Sequence, residues 1–548
     1  MKRGRAVGGS GERSGQLLRG LLLRMLYGLL LIPGLTPGWA QEASSAAAVR
    51  YEVLLQNGEI HRGDGSAGFV GCVGILAGRI SLLPEDAVVA ADQKIDCRGL
   101  VIAPGFIDLH THSDGPLRNR NTRGSVNYLM QGCTTMVTGN CGSGPVDVGE
   151  FLAEIDQSGA GTNVAHLIPQ GSLRSEVIGK ADRMATGEEL ARMHALVAQG
   201  MRDGAWGMST GLIYIPGTFT PTSELTGLAT VVAEHGGIYA SHIRGEGEQL
   251  LQSIEEAMQI GAGAGCRVHI SHFKASGRPS WGTLRLAIER IRQVRAAGQQ
   301  VTADQYPYTA SSTSLEATLL PTWARAGGRE ELQQRLEDAT ESARIREAVQ
   351  QKLKTATRIQ LASCRHNPNW VGQSLEEVAA AEGREVCDIV LEIERNGGAA
   401  IVNFSMSEED LRLAMTVDWV ATASDGGSKI PDGTQPHPRS FGTFPRKIGR
   451  YAIEEGVLSL GAAIRSASGL PAEILGMSDR GLLQDGYAAD VVVFAAAEFR
   501  DRATFDDPWQ SSVGVRYVLV NGVFAVYKGQ PTGALAGRAL RKIVAADE

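Results

Sequence analysis

Beyond residue 40, no apolar run in this 548-residue chain is long enough to cross a bilayer, so nothing in the remaining sequence reads as a membrane-spanning segment. The seven cysteines form no CxxC pair and no framework spacing, which argues against a disulfide scaffold and leaves buried apolar thiols as the default for most of them. No segment repeats another. Charge of one sign does not accumulate either. The net charge of -7 is modest for this length and argues against a nucleic-acid partner, while leaving small substrates open.

What is present is the composition of a soluble globular protein, 43% hydrophobic and 21% charged, in a chain too long for one ordinary core. The 68 glycines fall mostly at element ends, as a fold of many short strand–loop–helix joints requires. The N-terminus stands apart. Lys2, Arg3, Arg5, Arg13, Arg19 and Arg24 precede an uncharged run from Met25 to Leu35, and Gly38-Trp39-Ala40 follows with small residues where signal peptidase needs them. Residues 1–40 therefore read as a signal peptide cleaved after Ala40. That implies an exported protein, periplasmic or secreted, with no integral membrane association once the signal is removed.

From Tyr51 to about Leu100 the pattern is strands and turns, with Asn57-Gly58 as a hairpin-turn dipeptide. Strand patterns return at Ala489–Phe494, Val513–Val520 and Val523–Tyr527, with Asn521-Gly522 between the last two. The expected result is a small β-sandwich built from both termini, residues 41–100 and 481–548. Between them, apolar runs of four to six residues alternate with helical stretches such as Gly187–Arg202, Glu246–Ile260 and Leu284–Ala297. VIAPGFIDLH, CTTMVTGN, NVAHLIP, GIYASHI, RVHISHF, QVTADQYPY and WVATASD read as buried parallel strands, so the fold class is α/β, a (β/α)8 TIM-like barrel over 101–480. Roughly 315–396 breaks the alternation with long charged helices, such as Glu330–Leu353, and reads as an inserted helical subdomain. The strand rhythm resumes at Ala399–Val402.

Phe106-Ile107-Asp108-Leu109-His110-Thr111-His112 carries two histidines at the end of an apolar strand. A period of two places both imidazoles on one side, where they can share a metal or flank a binuclear one. His242, His272 and Asp425 each close a further expected barrel strand. Active sites of such barrels lie at the C-terminal strand ends, so these residues converge although far apart in sequence. His269 falls on the opposite face of its strand and reads as a packing or supporting residue, and His166 as structural.

GFIDLHTHSD, GNCGSG, STGLIYIPG, SHIRGEG, ISHFKASG, DQYPYTASST, ASDGG and HPRSFGTFPR together resemble the D-aminoacylase, or N-acyl-D-amino-acid deacylase, branch of the amidohydrolase superfamily. The resemblance runs from about Tyr51 to Gly537, with the motifs in the family's order. It implies zinc-dependent hydrolysis of N-acyl-D-amino acids to a carboxylate and a free D-amino acid. The alternatives are a metal-dependent peptidase for D-residue-containing peptides and a cyclic-amide hydrolase. The second is disfavoured, because the bridging lysine usual there is missing: Lys180 is the only lysine between His112 and His242. In its place the resemblance makes Cys141 a thiolate ligand, with Cys133 the inert buried thiol. Cys141, His242 and His272 then hold a tight zinc, while His110, His112 and Asp425 line a second position, weakly occupied or empty. The resemblance also makes Asp425 the catalytic base, and places Lys274, Arg439, Tyr306, Tyr214 and Ser312 around the substrate's carboxylate or scissile group. D-stereochemistry comes from the resemblance alone. The side chain, the acyl group and the oligomeric state stay open.

Overall fold

Gly105 is where the chain passes from one domain to the other. The computed structural model describes residues 49–543, so residues 1–40, read above as a signal peptide, lie outside it. The expected strand VIAPGFIDLH divides at this glycine. Val101–Pro104 belongs to a nine-stranded sheet and Phe106–Asp108 opens the barrel. Gly105 N–H donates to Asp490 O, and a β-carbon there would fall 2.2 Å from Thr134 Oγ1, so only glycine fits the crossing.

Eight short parallel strands form the barrel: β1 (Phe106–Asp108), β2 (Cys133–Thr138), β3 (Asn163–His166 with Ile168–Pro169), β4 (Gly207–Gly211), β5 (Ile238–His242), β6 (Arg267–Ile270), β7 (Val301–Gln305) and β8 (Val420–Thr422). Each pairs in parallel with the next. The ring closes just beyond β8 and β1, where Thr111 bridges Gly426 in parallel and Asp425 N–H donates to His110 O at 2.8 Å. Almost every strand residue is buried, as helices outside and packing inside demand. The helix Gly187–Arg202 falls where its periodicity placed it, started by a Thr186/Glu189 capping box.

The nine-stranded sheet draws Arg50–Ile60 through Val101–Pro104 from one end of the chain and Val491–Pro531 from the other. It folds across an apolar cluster including Val53, Val73, Ile102, Val491 and Leu519, and Gln93 Nε2 donates to Tyr527 Oη across the fold. Asn521-Gly522 is a hairpin turn with both residues at positive φ, the type I′ signature. Asn57-Gly58 is not. Arg50–Ile60 runs straight through it, with Asn57 at φ 64° and a register shift between Leu55 and Gly58, so the dipeptide makes a bulge.

The insertion is larger and less helical than its sequence suggested. Ser311–Ser314, Ile359–Cys364 and Ala399–Asn403 form an antiparallel three-stranded sheet, so Ala399–Val402 closes the insertion instead of resuming the barrel. Glu330–Leu353 is two helices, Arg329–Glu337 and Ala339–Leu353, the second capped by Asp338. This unit has its own apolar core, including Leu315, Leu336, Ile345, Trp370 and Ile393. Residues 537–542 run back along the barrel, and Trp206 Nε1 donates to Leu540 O.

Candidate metal centre

His110, His112, Cys141, His242, His272 and Asp425 come from five different strand ends and meet at the C-terminal mouth of the barrel. Three of them, Cys141 (φ 51°), His272 (φ 37°) and Asp425 (φ 50°), hold a left-handed backbone that non-glycine residues rarely adopt. Cys141 is wedged by its neighbours. A β-carbon on Gly211 would fall 2.1 Å from Cys141 O, and one on Gly139 would fall 2.0 Å from Leu167 O. The glycines around Cys141 thus let its turn press directly against β3 and β4.

Cys141 Sγ lies 3.2 Å from His110 Nε2 and 3.6 Å from both His242 Nδ1 and His272 Nε2. Donor atoms around a tetrahedral zinc stand about 3.3–3.6 Å apart, given bonds of about 2.3 Å to sulfur and about 2.0–2.1 Å to nitrogen. The donor set therefore fits that metal in both spacing and chemistry. Burial alone would raise the Cys141 thiol, but His110, with His112 and His242, pulls it well below the usual value, which favours the thiolate. Cys133 is the contrast. It is buried without such partners and its thiol is pushed well up.

Asp425 adjoins the second group. Its Oδ1 lies 2.9 Å from His112 Nε2 and 3.6 Å from His110 Nε2, and its Oδ2 lies 2.8 Å from Arg439 Nη1. Burial works against its charge, yet Arg439, His110 and His112 hold the carboxyl well below the usual carboxylate range.

Two carboxylates that sequence reasoning missed, the buried Asp304 and the half-buried Glu246, stand behind the candidate ligands. Asp304, at the end of β7, accepts His272 N–H at 2.7 Å and contacts His110 Nδ1 at 3.3 Å and His269 Nε2 at 2.9 Å. Glu246 sits 2.8 Å from His272 Nδ1 and pairs with Lys274. Such outer carboxylates fix the orientation of ligating imidazoles. Both residues lie inside quoted motifs, DQYPYTASST and SHIRGEG, and Asp304 shares the strand-end signal that found Asp425. His269 is thus a supporting residue, tied to Asp304 and to Thr302. His166 lies elsewhere, on Thr138 Oγ1 and Pro145 O.

The remaining sequence candidates surround the cluster. Tyr306 is buried between two cations, with Arg439 4.7 Å and Lys274 5.9 Å from its ring centre, and its hydroxyl has no partner among the described residues. Tyr214 packs edge-on against His242 and bonds Thr313 Oγ1 at 2.9 Å. Ser312 lies on the first strand of the insertion, and its carbonyl accepts Arg439 Nη2 at 3.3 Å. The insertion therefore walls the mouth of the barrel. Cavities of about 610 Å3 and 290 Å3 open on the two sides, and His112 and Ser312 line both.

The chain belongs to the amidohydrolase family, which it matches over residues 93–526. Within that family it is similar to the D-aminoacylase of Alcaligenes xylosoxydans xylosoxydans, 33% identical over 518 residues that cover 90% of this chain and 98% of that protein. A crystal structure of D-aminoacylase superposes with a TM-score of 0.78 at 31% identity, covering 90% of this chain and 100% of that one. N-acyl-D-glutamate deacylase from Bordetella bronchiseptica, solved with zinc and a phosphonate mimic of the tetrahedral intermediate, gives 0.77 at 30% identity over the same shares.

Proposed function

We propose that this enzyme hydrolyses the amide bond of N-acyl-D-amino acids, releasing a carboxylate and a free D-amino acid. The observation that carries the reading is the Cys141–His242–His272 donor set at zinc spacing, beside an Asp425–Arg439 pair at a barrel mouth walled by the insertion. We assign the tight zinc to Cys141, His242 and His272, and a weaker second position to His110, His112 and Asp425. Zinc supplies Lewis acidity toward the amide carbonyl and eases formation of a nucleophile from water near neutral pH.

The chain's own groups do the rest. Asp425, anionic at neutral pH, takes the proton of the attacking water as its oxygen adds to the carbonyl carbon. It returns that proton to the nitrogen as the C–N bond breaks, since an amide anion is too poor a leaving group. Arg439 and Lys274 present cations for the substrate's α-carboxylate, with Arg439 able to make a bidentate fork. The free Tyr306 hydroxyl, with Tyr214 and Ser312, lines the place of the scissile group. His110, clamped through Asp304, keeps its ring aligned on Cys141.

Paired N-acetyl-D- and N-acetyl-L-amino acids, assayed with metal content measured on the same purified protein, test this. Turnover of the D-forms, lost in Asp425→Asn, is expected. Turnover of L-forms only, or full activity in Asp425→Asn, sinks the reading. Export belongs to the same proposal. Protein recovered from the periplasm or medium should begin at Gln41, and an intact N-terminus retained in the cytoplasm overturns it.

A further inference from the structure

The larger cavity carries charge that the hydrolysis of a simple N-acetyl amino acid does not use. It starts at the centre, where His112, Cys141 and Tyr214 line it, and extends to a wall bearing Lys180, Arg325 and Arg329. Against these three cations the lining holds one carboxylate, Glu316, and that is committed to Arg329 at 3.5 Å. Arg329 is further held by Glu394 at 2.7 Å. Among the described residues no carboxylate is within ion-pairing distance of Arg325 or Lys180.

Arg325 is the telling residue. It is 5% exposed, its Nη1 donates to Ile213 O at 3.1 Å, its Nη2 reaches Thr322 Oγ1 at 3.5 Å, and its Nε has no partner among the described residues. A buried guanidinium without a counter-ion is costly, and burial accordingly lowers its proton affinity. Glu316 and Glu394 offset this only in part, and both are engaged by Arg329. A carboxylate entering the cavity would complete the compensation, and the exposed Lys180 would add a second contact from the same wall. On the opposite side of His112 and Ser312, Arg439 offers the other cationic pole, beside Asp425. The amide junction therefore sits between two places for negative charge.

We propose that the 610 Å3 cavity is a recognition arm for a second carboxylate, distal to the scissile amide, with Arg325 as its anchor and Lys180 as its outer contact. The preferred substrates are dianionic N-acyl-D-amino acids. The inference rests on the deacylase reading above. The distal carboxylate can come from an acidic D-side chain or from a dicarboxylic acyl group, and the two are separable by assay.

The purified full chain is assayed on N-acetyl-D-leucine, N-acetyl-D-glutamate and N-succinyl-D-leucine. At least one dianionic substrate should exceed N-acetyl-D-leucine in kcat/KM by about tenfold or more, the glutamate arm marking a side-chain source and the succinyl arm an acyl source. Arg325→Gln should collapse that ratio by about tenfold, and the exposed Lys180→Gln should lower it less, which keeps the test usable if the buried variant fails to fold. A preference for N-acetyl-D-leucine over both dianions overturns the proposal, as does a ratio unmoved by Lys180→Gln and by a folded Arg325→Gln. If no N-acyl-D-amino acid is turned over, the deacylase reading fails. Binding then decides this one. Glutarate should raise the Tm of the unmodified protein more than that of Lys180→Gln, and equal shifts overturn the assignment.

Discussion

His110 and His112 lie two residues apart at the end of one strand, yet the first side chain has no exposed surface while the second is 40% exposed. The contrast extends to everything around them. His110 meets Cys141 on one ring nitrogen and Asp304 on the other, and His272 is likewise backed by Glu246 and by Asp304 through its backbone. His112 has Asp425 and, among the described residues, no further carboxylate behind it, and Asp425 is itself paired with the buried guanidinium of Arg439. One half of the centre, His110 and His272 with Cys141 between them, is thus fixed from behind, so His110 joins the tight position to the second one, while His112 and Asp425 are held by each other and by Arg439. A rigid donor set favours a resident ion, whereas a soft one suits a group that must move a proton.

The sharpest way to break this comparison is Cys141→Ala. Metal content should fall toward zero and kcat/KM by more than about a thousandfold, well past the 10–100-fold usual for a supporting residue. Zinc content unchanged in that variant would remove the thiolate from the ligand set. Asp304→Asn comes next: a chelator competition should show metal affinity lower by about 10–100-fold with the fold intact. His112→Asn should keep one equivalent of metal with less than about a tenfold loss of affinity for it, because among the described residues no carboxylate other than Asp425 touches that ring. Loss of all metal there would mean the halves are equal. Arg439→Lys should change least, raising KM several-fold while kcat stays within about threefold, since a point charge replaces a bidentate fork.

Much of this centre was legible in the sequence because strand ends in a barrel converge: His242, His272 and Asp425 each follow a short apolar run. Asp304 has the same position at the end of β7, but an acid followed by Gln-Tyr-Pro-Tyr carries no mark separating a clamp from a solvated carboxylate. Glu246 follows β5 in a loop, and only the three-dimensional path brings it onto His272. The insertion's sheet was hidden for a related reason. Ser311–Ser314 is a polar strand whose identity depends on pairing with Ala399–Asn403, nearly ninety residues on, and no local pattern reports a partner so distant. Asn57-Gly58 and Asn521-Gly522 are the same dipeptide, and only the second turns the chain, because at the first the strand already has neighbours on both sides.

The glycine seam between the two domains bears on how the enzyme is assembled. Val101–Pro104 pairs with Val491–Phe494, a strand near the opposite end of the chain, and β1 starts two residues later, just past Gly105. The strand that carries His110 and His112 pairs early with β2, but the segment leading into it gains its second neighbour only from the far end of the chain. Contacts this remote in sequence form late, after the large loop between them has closed. C-terminal truncations that remove Val491–Phe494 should therefore weaken metal retention although they leave every candidate ligand in place.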